Sequence, residues 1–420
     1  MAKNSKWRTA LLVLAGLVLV AGSFAWVFPR ETAGVAGQHA LPTLSLCALF
    51  LALALAAEWR LLRGLLAVLA ITLVLGWNRS STTSTSHFAG ACLGFLVMLT
   101  IGRAFGTPRR LRFAMLAFLS GGMLALLLGL AGSSVRTETL MGSRLPVNVP
   151  AIKLRLAGLS SRGDVNPNAL AAAVLLVAPL GVTVLVLRTG EKIDWLGLMP
   201  VAFTVVVTSA VILVICASRS AWIAIWLILV GLLVRGMRSW LCRIVTGAIV
   251  VAPLFVAASS VLFLSQEAFL QQASNLWTSA GNRAEIITQG VDRWRASPWL
   301  GIGVNEFRSV YRPKSAATDI VHAHNIFLQT ALDVGAAGSA AYWGLLALLL
   351  VRATQAARGP SRAGRSAAVG SALCLVAISL FGLSDAVALG SKMGIFQWMA
   401  GGLVLAAWRV QSGSTEQSAQ

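Results

Sequence analysis

Two histidines stand two residues apart in a polar stretch of an otherwise apolar chain. The stretch reads His322-Ala323-His324-Asn325, and a long apolar run follows it. The chain contains only four histidines, so this pair accounts for half of them. Imidazole is the side chain best suited to accept a proton near neutral pH, and an ionisable group at a membrane boundary indicates a functional site. We therefore interpret His324 as a candidate general base.

Helical spacing predicts different orientations for the two histidines. His324, Leu328 and Leu332 are four residues apart, which predicts that His324 lies at the mouth of a helix and points into a cavity. Residues i and i+2 of a helix do not share a face, so we expect His322 to point elsewhere. In a loop, the same pair would chelate a metal if a third ligand such as Asp319 joined it. We favour the base over the metal site.

Three more ionisable residues are candidates for a functional site. Arg219 lies in a short polar turn, Arg283 opens a stretch with helical spacing, and Asp385 follows another apolar run. A guanidinium group binds two phosphate oxygens at once, and helix N-termini also favour anions. The two arginines are therefore candidate phosphate ligands, with pairing to a carboxylate as the alternative for Arg219. Asp385 is a candidate orienting carboxylate.

Two common phosphate-binding motifs are absent from the sequence. It has no Asp-x-Asp pair, which counts against a transferase that holds a nucleotide diphosphate through a divalent ion. It has no Gly-x-x-x-x-Gly-Lys-Ser/Thr loop, which counts against ATP-driven transport. The remaining candidate is a lipid-linked pyrophosphate donor. Arginines can stabilise the pyrophosphate as it leaves, in the way that a metal ion would. We expect neither a metal nor a cofactor.

Membrane helices must position these residues. The chain is 57% hydrophobic and 11% charged, with a mean hydropathy of +0.80, whereas soluble domains are about 25% charged. Its apolar runs reach the roughly 17–25 residues that span a bilayer, and they lack the period-2 alternation of a barrel strand. The chain is therefore predicted to be an all-α integral membrane protein. The predicted spans, about twelve in number, are 9–28, 41–57, 64–78, 87–102, 113–132, 169–187, 195–217, 220–234, 244–264, 325–350, 366–384 and 392–408.

The distribution of basic residues predicts which side of the membrane each loop faces. The net charge is +20, and more than half of the Lys and Arg residues fall in inner segments when the N-terminus is placed inside. Anionic lipid headgroups account for this inner charge, so nucleic acid is not an expected partner. Both termini are then cytoplasmic. The residues on the outer face include Arg219, Arg283, His324 and Asp385.

The predicted spans divide the chain into four segments. Residues 1–264 hold the first nine spans and an outer loop at 133–168. Residues 265–324 form a larger outer loop with amphipathic helices, and residues 325–408 hold the last three spans. Residues 409–420 are predicted to be a disordered cytoplasmic tail.

The larger outer loop contains a predicted amphipathic helix. Asn282 is its predicted N-cap, and Ile287, Val291 and Trp294 recur at helical spacing. Pro298 ends the pattern. Two alternatives remain open: the helix either lies on the membrane or caps a cavity, or it is a packed structural helix.

Several short motifs occur in the order seen in the O-antigen ligase and polymerase superfamily. The resemblance is close over about 200–335, and it extends more loosely to Asn166-Pro167-Asn168 and Asp385. The block around the two histidines is the most specific part of the resemblance, whereas the isolated arginines are not specific. The motifs are Ser218-Arg219-Ser220, Asn282-Arg283, Pro298-Trp299-Leu300-Gly301-Ile302-Gly303 and His322-Ala323-His324-Asn325-x-x-Leu328-Gln329-x-x-Leu332-x-x-Gly335.

The resemblance implies a metal-independent, inverting glycosyltransferase of the GT-C type in the bacterial inner membrane. The chain is most similar to the O-antigen ligases, which implies undecaprenyl pyrophosphate-linked O-antigen as donor, the lipid A core as acceptor, and a periplasmic site. O-antigen polymerases and protein O-oligosaccharyltransferases of the same superfamily are the alternatives. A transporter of lipid-linked sugars is a further alternative, but the two matching halves that would favour it are not evident. The implied roles are general base for His324, pyrophosphate binding for Arg219 and Arg283, and support for Asp385, His322 and Asn325.

Overall fold

The computed structural model of the chain describes residues 2–27, 35–131, 167–187, 197–216, 218–234, 283–311, 322–387 and 389–418. Throughout these segments the regular secondary structure is helical. The helices are α1 (Ala2–Val27), α2 (Val35–Leu55), α3 (Arg60–Leu75), α4 (Thr82–Ala104), α5 (Pro108–Ala131), α6 (Pro167–Leu187), α7 (Leu198–Cys216), α8 (Arg219–Val234), α9 (283–296), α10 (Phe307–Val310), α11 (Ile326–Ala356), α12 (Arg362–Phe381) and α13 (Gly394–Ser418).

The lengths and compositions of these helices are those of a membrane protein. Apolar segments that are shorter than a full membrane span lie in α1, α2 and α7. Every predicted span overlaps a described helix except 244–264, which lies outside the described residues. The total of twelve spans and the GT-C architecture stay predictions. Among the described residues, five segments are long and apolar enough to cross a membrane: Thr82–Ala104, Pro108–Leu130, Asn168–Leu187, Ile326–Ala356 and Arg362–Phe381.

Helix α4 lies at the centre of the bundle, where it packs against α2 and α13, while α12 packs against α6 and α13. Phe95 of α4 meets Trp398 of α13 edge to face, with 4.8 Å between ring centroids. Both side chains are buried. Such aromatic pairs add to the packing that holds membrane helices together.

One end of the bundle, which we call the basic end, is held by arginine side chains. Arg103 of α4 donates from Nε and Nη2 to the carbonyl oxygen of Leu55, at 2.9 and 2.7 Å, and so satisfies the C-terminus of α2. Its Nη1 pairs with Glu58, and its guanidinium lies 4.3 Å from the ring centroid of Trp59. Arg409 donates to the carbonyl oxygen of Arg103 at 3.0 Å.

These contacts bear on the predicted tail at 409–420. Helix α13 continues as far as Ser418, so residues 409–418 are helical rather than disordered. The side chain of Gln411 donates to the carbonyl oxygen of Ser361 and accepts from its amide, at 2.9 and 3.0 Å. These hydrogen bonds and the one from Arg409 join α13 to its neighbours. They could not be predicted from the polar composition of the segment.

The opposite end of the bundle, the site end, joins the ends of helices that are distant in sequence. The amide of Ile326, at the start of α11, donates to the carbonyl oxygen of Gly382, just after α12, at 2.7 Å. The hydroxyl of Ser384 donates to that of Ser220, in the first turn of α8, at 2.7 Å. The start of α8, the start of α11 and the end of α12 therefore meet at one place.

Helix α11 is interrupted by a turn that enters its hydrogen-bond ladder. Gly335 has a φ of 67°, outside the helical region, and a Cβ there would lie 1.9 Å from the carbonyl oxygen of Trp299. The amide of Ala336 donates to the carbonyl oxygen of Pro298 at 2.8 Å, and the carbonyl oxygen of Leu332 accepts from the amide of Ile302 at 2.7 Å. The helical hydrogen bond from the amide of Ala336 to the carbonyl oxygen of Leu332 is thus replaced by two hydrogen bonds between the helix and the turn from Pro298 to Ile302.

Helix α9 packs through a different face from the predicted one. Ile286 is 2% exposed, whereas Ile287 is 39% exposed. The packed face passes through Gly290, where a Cβ would lie 2.8 Å from a methyl carbon of Leu328. The predicted face was wrong at Ile287, because Gly290 has no side chain and gave no apolar signal, whereas Trp294 of the predicted face does lie on the packed side. Ile286 belongs to a separate buried cluster, the outer cluster, formed by Ile286, Phe307, Tyr311, Ala323 and Leu332.

Candidate active site

The two histidines lie in a short loop that ends where α11 begins. Asn325 is the N-cap of α11: its Oδ1 accepts from the amide of Leu328 at 3.0 Å. Its Nδ2 donates to the carbonyl oxygen of Leu383 at 3.1 Å. Asn325 therefore fixes the loop to both α11 and the segment that follows α12.

Both imidazoles face the carboxylate of Asp385. Nε2 of His322 lies 3.5 Å from Oδ1 of Asp385, and Nδ1 of His324 lies 3.3 Å from the same oxygen. The ring centroids of the two histidines are 4.5 Å apart. The prediction that His322 points elsewhere was wrong. Both residues precede the N-cap, so the rule for helix faces does not apply to them.

His324 has a strained backbone conformation. Its φ is 49°, in the left-handed region that residues with a Cβ rarely adopt. Such a conformation persists only where the surroundings hold it, and it is concentrated at functional sites.

The ring nitrogens of the two histidines have different partners. Nδ1 of His322 accepts from the amide of His324 at 3.4 Å, so its Nε2 carries the proton and faces Asp385. Both nitrogens of His322 are thus engaged. Nδ1 of His324 faces Asp385 without the alignment of a full hydrogen bond. Among the described residues, none forms a hydrogen bond with Nε2 of His324, which leaves this nitrogen for a substrate.

Burial and charge set the protonation of the site. Burial, with a smaller contribution from His324, lowers the pKa of His322 to about 4 against the opposing attraction of Asp385. His322 is therefore neutral near pH 7. Burial alone would raise the pKa of Asp385, but the interactions with His324 and His322 and the hydrogen bond from the amide of Ala386 outweigh it and lower the pKa below its usual value. Asp385, with a side chain only 4% exposed, is thus an anion beside two imidazoles.

The same three residues could hold a metal ion. One ligand atom from each of His322, His324 and Asp385 lies within 4.8 Å of the others, and imidazole and carboxylate are both ligands of zinc. Asp319 was the candidate third ligand suggested by the sequence. Asp319 lies outside the described residues, and the third group of the cluster is Asp385. The absence of a metal requirement stays a prediction.

The two candidate phosphate ligands lie at helix starts near this cluster. Arg219 is the first residue of α8. Its neighbour Ser220 is bonded to Ser384, which adjoins Asp385. The described part of α9 begins at Arg283, three residues before Ile286 of the outer cluster, to which Ala323 of the histidine loop also belongs.

Not every predicted position can be placed. Asn166 and Asn282 lie outside the described residues, and Pro167 is the first residue of α6, where proline is favoured.

A buried hydrogen-bond network that was not predicted from the sequence lies behind the loop. The amide of Ala323 donates to Oε1 of Gln329 at 2.8 Å, and Nε2 of Gln329 donates to Oδ1 of Asp333 at 2.8 Å. The amide of Asn305 donates to the same carboxylate oxygen at 2.9 Å. Asp333 carried a visible signal, because a carboxylate within an apolar span indicates function. Gln329 was part of the most specific motif but had no role assigned to it.

Comparison with known proteins adds evidence for the family. No curated protein shows a significant match to the chain. Residues 204–343 match the family model described as O-antigen ligase. The matched region extends from α7 into α11, and it includes Arg219, Arg283 and both histidines of the loop. This match confirms the resemblance found in the motifs and supports membership of the chain in the O-antigen ligase and polymerase superfamily.

Proposed function

We propose that this chain is an O-antigen ligase. It transfers O-antigen polysaccharide from undecaprenyl pyrophosphate to a sugar hydroxyl of the lipid A core. The family match supports a transferase of lipid-linked saccharides. The observation that carries the proposal is the convergence of His322 and His324 on one oxygen of Asp385, at a place where three helix ends meet.

The proposed reaction is a single inverting displacement. The acceptor hydroxyl oxygen attacks the anomeric carbon of the donor sugar, and a new glycosidic bond forms. The bond from that carbon to the pyrophosphate oxygen breaks, and undecaprenyl pyrophosphate leaves with the electron pair. The hydroxyl proton passes to Nε2 of His324, which has no hydrogen-bond partner among the described residues. Asp385 holds the opposite nitrogen and stabilises the imidazolium that results.

Charge on the leaving pyrophosphate needs compensation. We assign this role to Arg219 and Arg283, because a guanidinium matches phosphate geometry. The N-terminus of α8, at Arg219, adds the favourable end of a helix dipole. Loss of one donor of this kind typically raises a barrier by about 2.7–4 kcal/mol.

The two ends of the bundle support an orientation in the inner membrane. Arg103 and Arg409 lie at the basic end, away from the histidine loop. Arginine is favoured on the cytoplasmic side of a membrane protein. We therefore place both termini in the cytoplasm and the site in the periplasm, where nucleotides are absent and lipid-linked donors are present.

A purified transfer assay tests the proposal. The protein in lipid nanodiscs receives undecaprenyl pyrophosphate-linked O-antigen and core lipid A, with EDTA and without nucleotide. Transfer to lipid A at an undiminished rate is expected, and His324→Ala should abolish it. Loss of activity in EDTA, restored by zinc or magnesium, would show that the cluster is a metal site instead.

The same assay separates the alternatives. Growth of the lipid-linked chain without transfer to lipid A would identify a polymerase, and transfer to an added protein acceptor would identify a protein O-oligosaccharyltransferase. Movement of the donor across a liposome membrane without bond formation would identify a transporter.

A further inference from the structure

We propose that Gln329 and Asp333 are positioning residues that hold the histidine loop through a hydrogen-bond chain buried in α11. The inference rests on the proposed function, because the loop matters for transfer only if His324 is the base. The chain runs from the Asp333 carboxylate through the Gln329 amide to the amide of Ala323, between the two histidines.

Burial of the polar side chains of Asp333 and Gln329 costs free energy. Asp333 is 0% exposed and Gln329 is 1% exposed. Among the described residues, no cation pairs with Asp333, and its Oδ2 has no hydrogen-bond partner. A carboxylate at such a place in a membrane helix is expensive and indicates function. Packing alone does not account for it, since Leu would fill the same position at lower cost.

Gln329 holds the backbone of the histidine loop. Ala323 precedes the helix, so no helical bond holds its amide, and Gln329 supplies the only hydrogen bond to that amide among the described residues. The next residue, His324, has the strained φ of 49°. A strained residue keeps its conformation only when its neighbours fix it. Gln329 therefore holds the backbone from which both imidazoles reach Asp385.

Asp333 joins the histidine loop to the segment that carries Arg283. Oδ1 of Asp333 accepts from Gln329 and from the amide of Asn305. Asn305 lies just beyond the turn that enters α11, and its own φ is 55°. That turn follows α9, which begins in the described structure at Arg283. One carboxylate oxygen thus sets the histidine loop and the end of this segment relative to each other.

Four variants test the inference in the full-length protein in nanodiscs. Gln329→Met removes both hydrogen bonds at similar volume. Asp333→Leu removes the accepting oxygen, whereas Asp333→Asn keeps an oxygen that can accept from both donors. The matched control is Thr330→Val, since Thr330 is buried beside Gln329 but donates only to carbonyl oxygens of its own helix.

Two readouts separate positioning from a general loss of structure. Displacement of a reacting group by about 1 Å costs up to roughly 100-fold in rate, so Gln329→Met and Asp333→Leu should lower kcat by about 10- to 100-fold and leave KM little changed. Hydrogen exchange at the Ala323 amide should accelerate in Gln329→Met. Thr330→Val should match the wild type in both, and Asp333→Asn should retain most of the kcat. The double variant Gln329→Met/Asp333→Leu should lose little more than either single variant, because both act on the same chain of bonds.

The outcomes are decisive in either direction. Unchanged exchange at Ala323 in Gln329→Met overturns the inference, as does accelerated exchange with an unchanged kcat. Equal losses for Asp333→Asn and Asp333→Leu overturn the role of Asp333, because its charge rather than its accepting oxygen would then be required. An active His324→Ala together with accelerated exchange in Gln329→Met would overturn the proposed function and still establish the support of the loop by Gln329. If Gln329→Met does not accumulate in membranes, Gln329→Asn gives the same comparison, because the shorter side chain cannot reach both partners.

Discussion

The two ends of the helix bundle use polar side chains in opposite ways. At the basic end, each nitrogen of the Arg103 guanidinium has a partner, and the side chain also packs on Trp59. At the site end, Nδ1 of His324 faces Asp385 without a full hydrogen bond, the buried side-chain amide of Asn305 has no hydrogen-bond partner among the described residues, and both residues adopt positive φ. Fully satisfied groups stabilise a fold. Unsatisfied groups on a strained backbone are available for a ligand or a reaction, and this difference supports the proposal that the site end carries the chemistry.

Loss of His324 is the largest expected effect at the site end. His324→Ala should lower the transfer rate by about 10²–10⁴-fold, the typical cost of removing a positioned base. The measurement is O-antigen attachment to lipid A at matched protein level. His87→Ala is the control, because the only hydrogen bond of the His87 ring among the described residues is with the carbonyl oxygen of Thr83 in its own helix. A fully active His324→Ala would remove the proposed base and the contrast between the two ends.

Conservative changes of the two arginines at the site end should come next. Arg219→Lys and Arg283→Lys keep the charge but lose the two-pronged contact with phosphate, so each should raise the barrier by up to about 2.7–4 kcal/mol. Initial transfer rates at saturating donor measure the effect. Normal rates in both variants would mean that charge alone suffices, and that neither guanidinium grips the pyrophosphate.

At the basic end, a change should affect stability and leave chemistry alone. Arg103→Leu leaves the carbonyl oxygen of Leu55 without its donors, and an unsatisfied buried group costs about 1–3 kcal/mol. We expect lower thermal stability in detergent with an unchanged transfer rate per folded molecule. A selective loss of transfer at unaltered stability would show that the basic end takes part in the reaction.

Substitution of His322 should have the smallest effect. Since burial lowers the pKa of His322 to about 4, the imidazole carries charge only below that pH and is neutral during transfer. His322→Gln keeps a side-chain N–H that can donate to Asp385, so the rate should fall less than about tenfold. The pH profile above about pH 5 should be unchanged. A loss equal to that of His324→Ala would favour a metal held by both histidines.

Hydropathy was sufficient to predict the long apolar helices that the structure describes, because an apolar run of bilayer length has few alternatives. Asn325 could also be predicted at a helix start, since it stands directly before a long apolar run. The convergence of His322, His324 and Asp385 could not. It depends on a left-handed residue before the helix and on a partner far along the chain, and neither leaves a local pattern.

The network around Asp333 shows a second limit of sequence reasoning. Asp333 is visible as a carboxylate within an apolar run, but its partner Asn305 reaches it only because a turn enters α11 at Gly335. A glycine inside a helical pattern is usually tolerated without a break. Only the structure shows that this one has a φ of 67° and gives its hydrogen bonds to another segment.

The turn that enters α11 also determines when the site can form during synthesis. A chain is made from its N-terminus, and its parts fold in that order. The turn between Pro298 and Ile302 leaves the ribosome before Leu332 and Ala336, to which it is bonded, and Asp385 is made later still. The nascent chain therefore cannot assemble this site until α11 and α12 have been inserted into the membrane, so a chain arrested before that point carries the histidines without their carboxylate.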